Sequence, residues 1–363
     1  MRVLGVDPGT LSFDLCGLAD GEVFLARTVR TATVQRTPDV LIRWIFDTGP
    51  YDLIVAPSGY GAPLLRAHRV GEREIAQMVL VRADEAGHAV GIGGMRTLIR
   101  RFRELPMPVV FVPGVIHLAT VPVHRKVNRV DMGTADKVCS AALAIADQAR
   151  ELNIPYDQTS CILVEIGGAF SAVLAIERGQ IVDGMGGTSG PLGARGCGAM
   201  DGEVAYLLGP SLSKDTLFSG GVLDIAGIQQ LPDDPVRRHT DRRWQTAWRA
   251  WTESIEKAVR AMLTVVPQPR EVLVTGRPSV LALLFPTLQD RLQDIAPVRI
   301  VRGLHQRHHP VPIQAAAQGA AIIADGLAGG RYADLVATMA LHRAQGSVLD
   351  YLFLRGSTEI RLG

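Results

Sequence analysis

The first apolar run of this 363-residue chain ends in three groups that can act on a phosphate. They are a carboxylate, a glycine and a hydroxyl: Asp7, Gly9 and Thr10, in Val3-Leu4-Gly5-Val6-Asp7-Pro8-Gly9-Thr10. In such a turn the peptide N–H groups can line up on an anion, while the carboxylate holds a magnesium ion, through water, against the same phosphates. Asp-x-Gly-Thr also occurs in ordinary turns, so the weight falls on an echo halfway down the chain. Cys161-Ile162-Leu163-Val164-Glu165-Ile166-Gly167-Gly168 aligns with the first stretch, Glu165 on Asp7 and Gly167 on Gly9. Each copy continues into a second apolar segment and a tight turn, residues 13–19 with Asp20-Gly21 and residues 170–176 with Arg178-Gly179. The pattern predicts strand, phosphate-type turn, strand and hairpin, twice.

Charged groups suited to a substrate gather in two further places. His117, His124, Arg125, Lys126, Arg129 and Asp131 lie in a loop-like stretch before a helix predicted over 133–149, whose first turn holds Thr134, Asp136 and Lys137. Basic side chains at a cleft would offset the repulsion between an anionic substrate and a terminal phosphate. Arg125 and Arg129 lead, because a guanidinium grips a carboxylate in two places; a solvated basic loop explains the same residues equally well. Asp136 complements the helix dipole, and capping alone would account for it. The second place is the tract 184–202, too rich in glycine for a packed element, with Arg195 and Asp201 among its charged members. A loop of this length is expected to be functional or disordered.

The elements that must position these groups alternate in type. Residues 22–29, 52–57 and 108–113 read as strands, and 38–46, 95–103, 203–208 and 244–265 as helices. Ser58-Gly59-Tyr60-Gly61 follows the strand 52–57, and ligands in open α/β sheets sit beyond the carboxyl ends of strands, so this loop is expected at the cleft. Residues 87–94 read as a glycine-rich turn and 232–239 as a polar linker. Trp244, Trp248 and Trp251 recur at helical spacing, continued by Ile255, Val259 and Met262, a stripe for a core or for a homodimer face. His305, His308 and His309 lack a cysteine or carboxylate at metal-site spacing. Cys16, Cys139, Cys161 and Cys197 read as reduced core residues.

The set resembles the acetate and sugar kinase, heat-shock ATPase and actin superfamily, whose paired turns, phosphate 1 and phosphate 2, hold a nucleotide between two ribonuclease-H-like domains. Val272-Leu273-Val274-Thr275-Gly276, before the apolar helix 280–285, is similar to the adenosine motif. The small-residue stretch 312–322 looks like the helix connect 2, and 133–149 like connect 1. The resemblance implies an α/β fold of two ribonuclease-H-like domains, residues 1–157 and 158–330, with the nucleotide in the cleft between them. Helices in 331–363 are expected to pack back on the first domain.

It also implies ATP and Mg2+, with Asp7 as the anchor of the ion and Glu165 sharing it. Gly9, Thr10, Gly167, Gly168, Gly186, Gly187, Gly276 and Arg277 would surround the nucleotide. Asp7, Asp136 and Arg195 would serve catalysis, and Arg125, Arg129 and Asp201 the substrate. The phrases Met-Gly-Gly-Thr-Ser-Gly and Gly-Ala-Met-Asp-Gly-Glu resemble more closely still a family labelled predicted butyrate kinase, which implies a small-molecule carboxylate acceptor.

Three positions depart from the superfamily pattern: Glu165 where phosphate 2 often has Asp, Ala169 in place of a hydroxyl, and Arg277 in place of a second glycine. They leave open a nucleotide-responsive regulator or activator ATPase, and a sugar or polyol kinase. A hydroxyl acceptor would use a base from Asp131, Asp136 and Asp201; a carboxylate is already ionised and would use cations from Arg125, Arg129 and Arg195. The formal net charge of +2 comes from scattered basic residues, which argues against a nucleic-acid or membrane-surface partner. The chain opens on a core strand and has no long apolar run, so cytoplasm is the expected location.

Overall fold

The computed structural model describes residues 1–37, 39–85, 94–232, 240–306, 309–310 and 313–363. Its two halves begin alike. β1 (Arg2–Pro8), β2 (Ser12–Ala19) and β3 (Glu22–Arg30) form one antiparallel meander, and β7 (Ser160–Ile166), β8 (Ser171–Glu177) and β9 (Gln180–Met185) form another. Asp20 and Gly21 turn the first hairpin with φ of 50° and 80°, and Arg178 and Gly179 the second with 51° and 68°. Both central residues at positive φ give the turn whose twist matches that of the strands. In each meander the register shifts once in the middle strand, at Gly17/Leu18 and at Ala175/Ile176.

Parallel strands extend each meander on the other side of its first strand. The first sheet runs β3-β2-β1-β4-β6-β5 with β4 (Leu53–Ala56), β5 (Leu65–Arg66) and β6 (Val109–Phe111). The second runs β11-β10-β7-β8-β9 with β10 (Glu271–Gly276) and β11 (Val298–Ile300). The outer face of the first sheet is covered by α1 (Thr31–Arg36), α2 (Asp39–Thr48), α3 (Glu72–Val79) and α4 (Met95–Arg103), which pack Leu41, Ile45, Ile75 and Phe102 onto Leu4, Leu15 and Ile54. After α5 (Val123–Lys126) comes α6 (Ala135–Leu152), and after the second meander α7 (Gly202–Leu208) and α8 (Val222–Ala226). α9 (Arg242–Met262) and α10 (Pro278–Leu292) cover the outer face of the second sheet. The tryptophan stripe belongs to this core: Trp244 and Trp251 are buried, and Trp251 Nε1 donates to Ser171 Oγ at 3.1 Å.

Between the sheets lie α6 and α11 (Ala315–Leu327), with α12 (Ala333–Met339) beside them. α11 rests on β1, β2 and β4, while α6 rests on β7 and β8, so each helix covers one sheet and the two helices cross on each other. One core runs through all four layers, from Val3, Cys16 and Leu18 to Leu163, Leu174 and Ile176. Each such fully buried aliphatic side chain contributes about 1.5–3 kcal/mol. Backbones approach closely on both sides of α11: a Cβ on Gly319 would stand 1.7 Å from the Cys139 carbonyl of α6, and one on Gly5 of β1 would stand 2.2 Å from Ala321 N. Small residues in 315–324 make that approach possible.

The end of the chain returns to the first sheet's loops, with Asn128 N–H donating to Tyr351 O at 2.8 Å and Gly363 N–H to Val81 O at 3.0 Å. No helix among the described residues is long and apolar enough to cross a membrane. The glycine-rich turn 87–93, the linker 233–239 and His308 lie outside the described residues.

Candidate functional site

The carboxyl ends of β1, β4, β7 and β10 open into one cleft of about 190 Å³, with the first turn of α6 at its floor. The two glycine turns meet across it. A Cβ on Gly168 would stand 2.9 Å from Thr10 Oγ1 and 3.1 Å from Leu11 Cδ1, so the two turns are in close contact there. Gly9, Thr10, Gly167, Gly168, Gly187 and Arg277 all line this space, as do Asp7, Asp136 and Glu165. The prominent echo in the sequence therefore becomes a single site.

Its centre is Lys137, a residue of the α6 first turn to which sequence reasoning assigned no role. The buried Lys137 Nζ lies 2.6 Å from Asp136 Oδ2 and 2.9 Å from Glu165 Oε2, bridging the helix and the second turn. Burial disfavours its charge, but the two carboxylates outweigh burial and raise its pKa. Asp136 is held below the usual carboxylate range: burial opposes ionisation, and Lys137 and the Thr134 hydroxyl overcome it. Glu165 is pushed up by burial despite Lys137. Asp7, 7% exposed, is pushed well above the ordinary range, first by burial and then by Asp136 and Asp14.

Asp7, Asp136 and Glu165 gather around the one ammonium of Lys137, which leaves that group short of positive charge, and Asp7 makes no ion pair among the described residues. A magnesium ion fits that deficit. No group of three or more His, Cys, Asp or Glu among the described residues is arranged to hold a metal directly. This donor set suits an ion held through water and phosphate oxygens rather than in a protein cage.

Other expected residues lie elsewhere. Arg125 donates from Nη1 to Val182 O at 2.8 Å, which ties it to β9 and away from the cleft lining, and Arg129 is exposed. Both attract Asp183. His117 and Lys126 from the same segment are buried, Lys126 donating to Leu118 O at 2.8 Å and lying over the Tyr351 ring. Burial pushes the His117 imidazole down to about 4. Arg195 is exposed, its N–H bonded to Ala169 O and its carbonyl to Gly221 N–H. Asp201 caps α7, accepting from Glu203 N–H at 2.7 Å, and is exposed. Neither lines the cleft. Gly276 lies just behind it, where β10 crowds the Ile166 carbonyl.

The glycine tract is packed rather than open. A Cβ on Gly186 would stand 1.7 Å from Asp131 Oδ1, so the missing side chain makes room for that aspartate. Asp131 accepts from Thr188 N–H and Oγ1, each at 2.9 Å, and from Gly133 N–H at 3.2 Å. The chain then returns through a Gly196–Gly220 bridge, and Phe218 meets Phe170 edge-on with centroids 4.8 Å apart. That return carries Lys214 into the cleft, where its Nζ lies 3.0 Å from Tyr60 Oη. A lone lysine in 210–220 offered no periodic or motif signal; the preceding glycine tract was the available hint.

A family profile described as "Protein of unknown function (DUF1464)" matches residues 5–354. The chain belongs to the DUF1464 family. No curated protein matches it. Among solved structures it is similar to a propionate kinase from Francisella tularensis subsp. tularensis SCHU S4, at TM-score 0.62 and 12% identity over 88% of this chain and 98% of that one. Acetate kinase from Entamoeba histolytica aligns at TM-score 0.57 and 12% identity, covering 83% of this chain and 95% of the other. Porphyromonas gingivalis acetate kinase gives 0.56 and 17%, covering 80% and 86%. At these identities the likeness concerns the fold alone, and this DUF1464 protein has the α/β, actin-like ATPase fold. The profile spans both glycine turns, α6 and α11.

Proposed function

We propose that this protein is an ATP-dependent phosphotransferase whose acceptor is a small carboxylate of the butyrate type, with an acyl phosphate as product. The observation that carries the reading is the joining of two glycine turns and a helix N-terminus around Asp7, Asp136, Lys137 and Glu165. Solved proteins of the same fold are named for acetate and propionate.

Phosphoryl transfer depends mainly on positioning and charge neutralisation. N–H groups of the turns at Gly9–Thr10 and Gly167–Gly168 would cradle the phosphates, and Asp7, with Glu165, would hold the magnesium ion through water. The ion supplies charge neutralisation on the phosphate oxygens when bound. Lys137 keeps Asp136 and Glu165 in place and adds the one protein cation at that point. An acceptor carboxylate oxygen forms the new bond to the terminal phosphorus as the bond to the bridging oxygen of ADP breaks, and ADP leaves.

With Asp7 and Glu165 assigned to the magnesium ion, the three aspartates proposed as bases support an acceptor that needs none. Asp131 has its oxygens taken by Gly133 and Thr188 donors, Asp136 is paired with Lys137 and made less basic, and Asp201 caps an exposed helix. A base is weakened by a lowered pKa. The test is an assay of the purified protein with ATP and Mg2+ across short-chain acids, sugars and no acceptor, trapping acyl phosphate with hydroxylamine. Hydroxamate with a particular acid supports the reading and gives the chain length. ADP release indifferent to every acceptor overturns it in favour of a regulatory ATPase, and a phosphorylated sugar in favour of a sugar kinase.

A further inference from the structure

Lys214 and Tyr60 form a second polar cluster in the cleft, apart from the carboxylates around Lys137. Lys214 Nζ lies 3.0 Å from Tyr60 Oη and 4.5 Å from the centroid of the Tyr60 ring. Among the described residues Lys214 makes no ion pair, whereas Lys137 is held by two carboxylates. A half-buried ammonium facing a cavity, whose one hydrogen bond among the described residues goes to a phenol, has donors left for an anion. Burial lowers its pKa to about 8, with Asp131 and Glu85 acting the other way.

The cluster is built from both halves of the molecule. Tyr60 follows β4, and its N–H donates to Met78 O at 2.9 Å; Lys214 arrives on the second half's return loop, anchored by Phe218 on Phe170. Apolar wall adjoins it, because Met78, Val81, Met95 and Phe218 line the same cavity. A cation and a phenol beside an aliphatic wall match a carboxylate carrying an alkyl tail and not a polyol, whose many hydroxyls would lie against carbon.

We infer that Lys214 and Tyr60 bind the carboxylate of an aliphatic monocarboxylic acid, with its tail along Met78, Val81 and Met95. Lys214 thus takes the role expected of Arg125, Arg129 and Arg195. The inference rests on the carboxylate-kinase reading for its reaction, but not for its binding step. The Thr188 hydroxyl on Asp131, and Asp131 on Gly133 N–H, link this end of the cleft to the start of α6, where the phosphate turns converge.

Binding is read by calorimetric titration of the full chain with straight-chain acids from acetate to hexanoate and with the matching primary alcohols, without nucleotide. The wild type is expected to bind at least one acid, and more tightly than its alcohol. Lys214→Met should weaken the acid at least tenfold with ADP affinity retained, Lys214→Arg should stay within a few-fold of wild type, and Tyr60→Phe should give an intermediate loss. Acid affinity unchanged in Lys214→Met, or alcohols bound as tightly as acids, overturns the site. The two readings fail separately. Acid binding without hydroxamate formation removes the kinase reading and leaves the site; hydroxamate formed equally well by Lys214→Met removes the site and leaves the kinase.

Discussion

Asp7 carries both the chemistry and a cost to the fold. It is a buried carboxylate raised well above its ordinary range, with neighbouring carboxylates and no ion pair among the described residues. Asp7→Asn keeps the shape and removes the charge. It should abolish magnesium-dependent ATP turnover while making the unliganded protein more stable by roughly 0.5–2 kcal/mol, as sites strained for function allow. Retained turnover, or a lower melting temperature without ligand, would count against the assignment. Lys214 has a pKa lowered to about 8 by burial, with Asp131, Glu85 and the neutral Tyr60 around it. Its ammonium is the binding form, so acid affinity should hold below that pH and fall as pH rises through about 8. The decline should be absent in Lys214→Arg, whose guanidinium stays charged.

The elements that decide stability are the two crossing helices. Gly319 on α11 abuts the Cys139 carbonyl of α6, and backbone cannot give way as a side chain does. Gly319→Ala should cost about 3 kcal/mol or more, at the upper end of overpacking penalties. Gly202→Ala, with nothing within 4 Å of the added methyl, should be neutral or slightly stabilising. Denaturant midpoints compare the two. A second joint links α6 to the second sheet: Arg299 lies 2.5 Å from Asp147 and 2.6 Å from Glu271, both buried. Arg299→Met removes the cation shared by those carboxylates, Asp147 keeping Arg150 and Glu271 keeping Gln148, and should cost about 3 kcal/mol by the same measurement.

For the whole molecule, the cleft is the surface shared by both halves. Arg277 reaches Ser12 Oγ at 3.2 Å and Lys214 reaches Tyr60, so a ligand seated there contacts residues from each half. Mg·ADP at about a hundred times its Kd should therefore stabilise the entire chain by about 2.7 kcal/mol. A thermal melt should shift upward as one transition, and in Asp7→Asn the magnesium-dependent part of the shift should vanish. Two transitions moving independently would show that the cleft does not couple the halves.

Local pattern carried much of this protein. The duplicated strand, acidic-glycine turn and hairpin could be read because each is a short-range feature, set by apolar alternation, a carboxylate at a strand end and positive-φ turn residues. Asp7, Glu165 and the turn glycines were legible for that reason, and so were α4 and the buried tryptophan face of α9. Tertiary structure alone decided which cations line the cleft. Arg125 and Lys126 looked available in the sequence, yet they are tied to carbonyls of Val182 and Leu118 and lie outside the cleft lining. Lys137 is brought by the packing of α6 on β7, and Lys214 by a long return loop, to partners far away in sequence. The packing of the glycine tract was hidden for the same reason: its glycines mark where backbone must pass close to Asp131 and Phe170, and sequence does not record distance between segments.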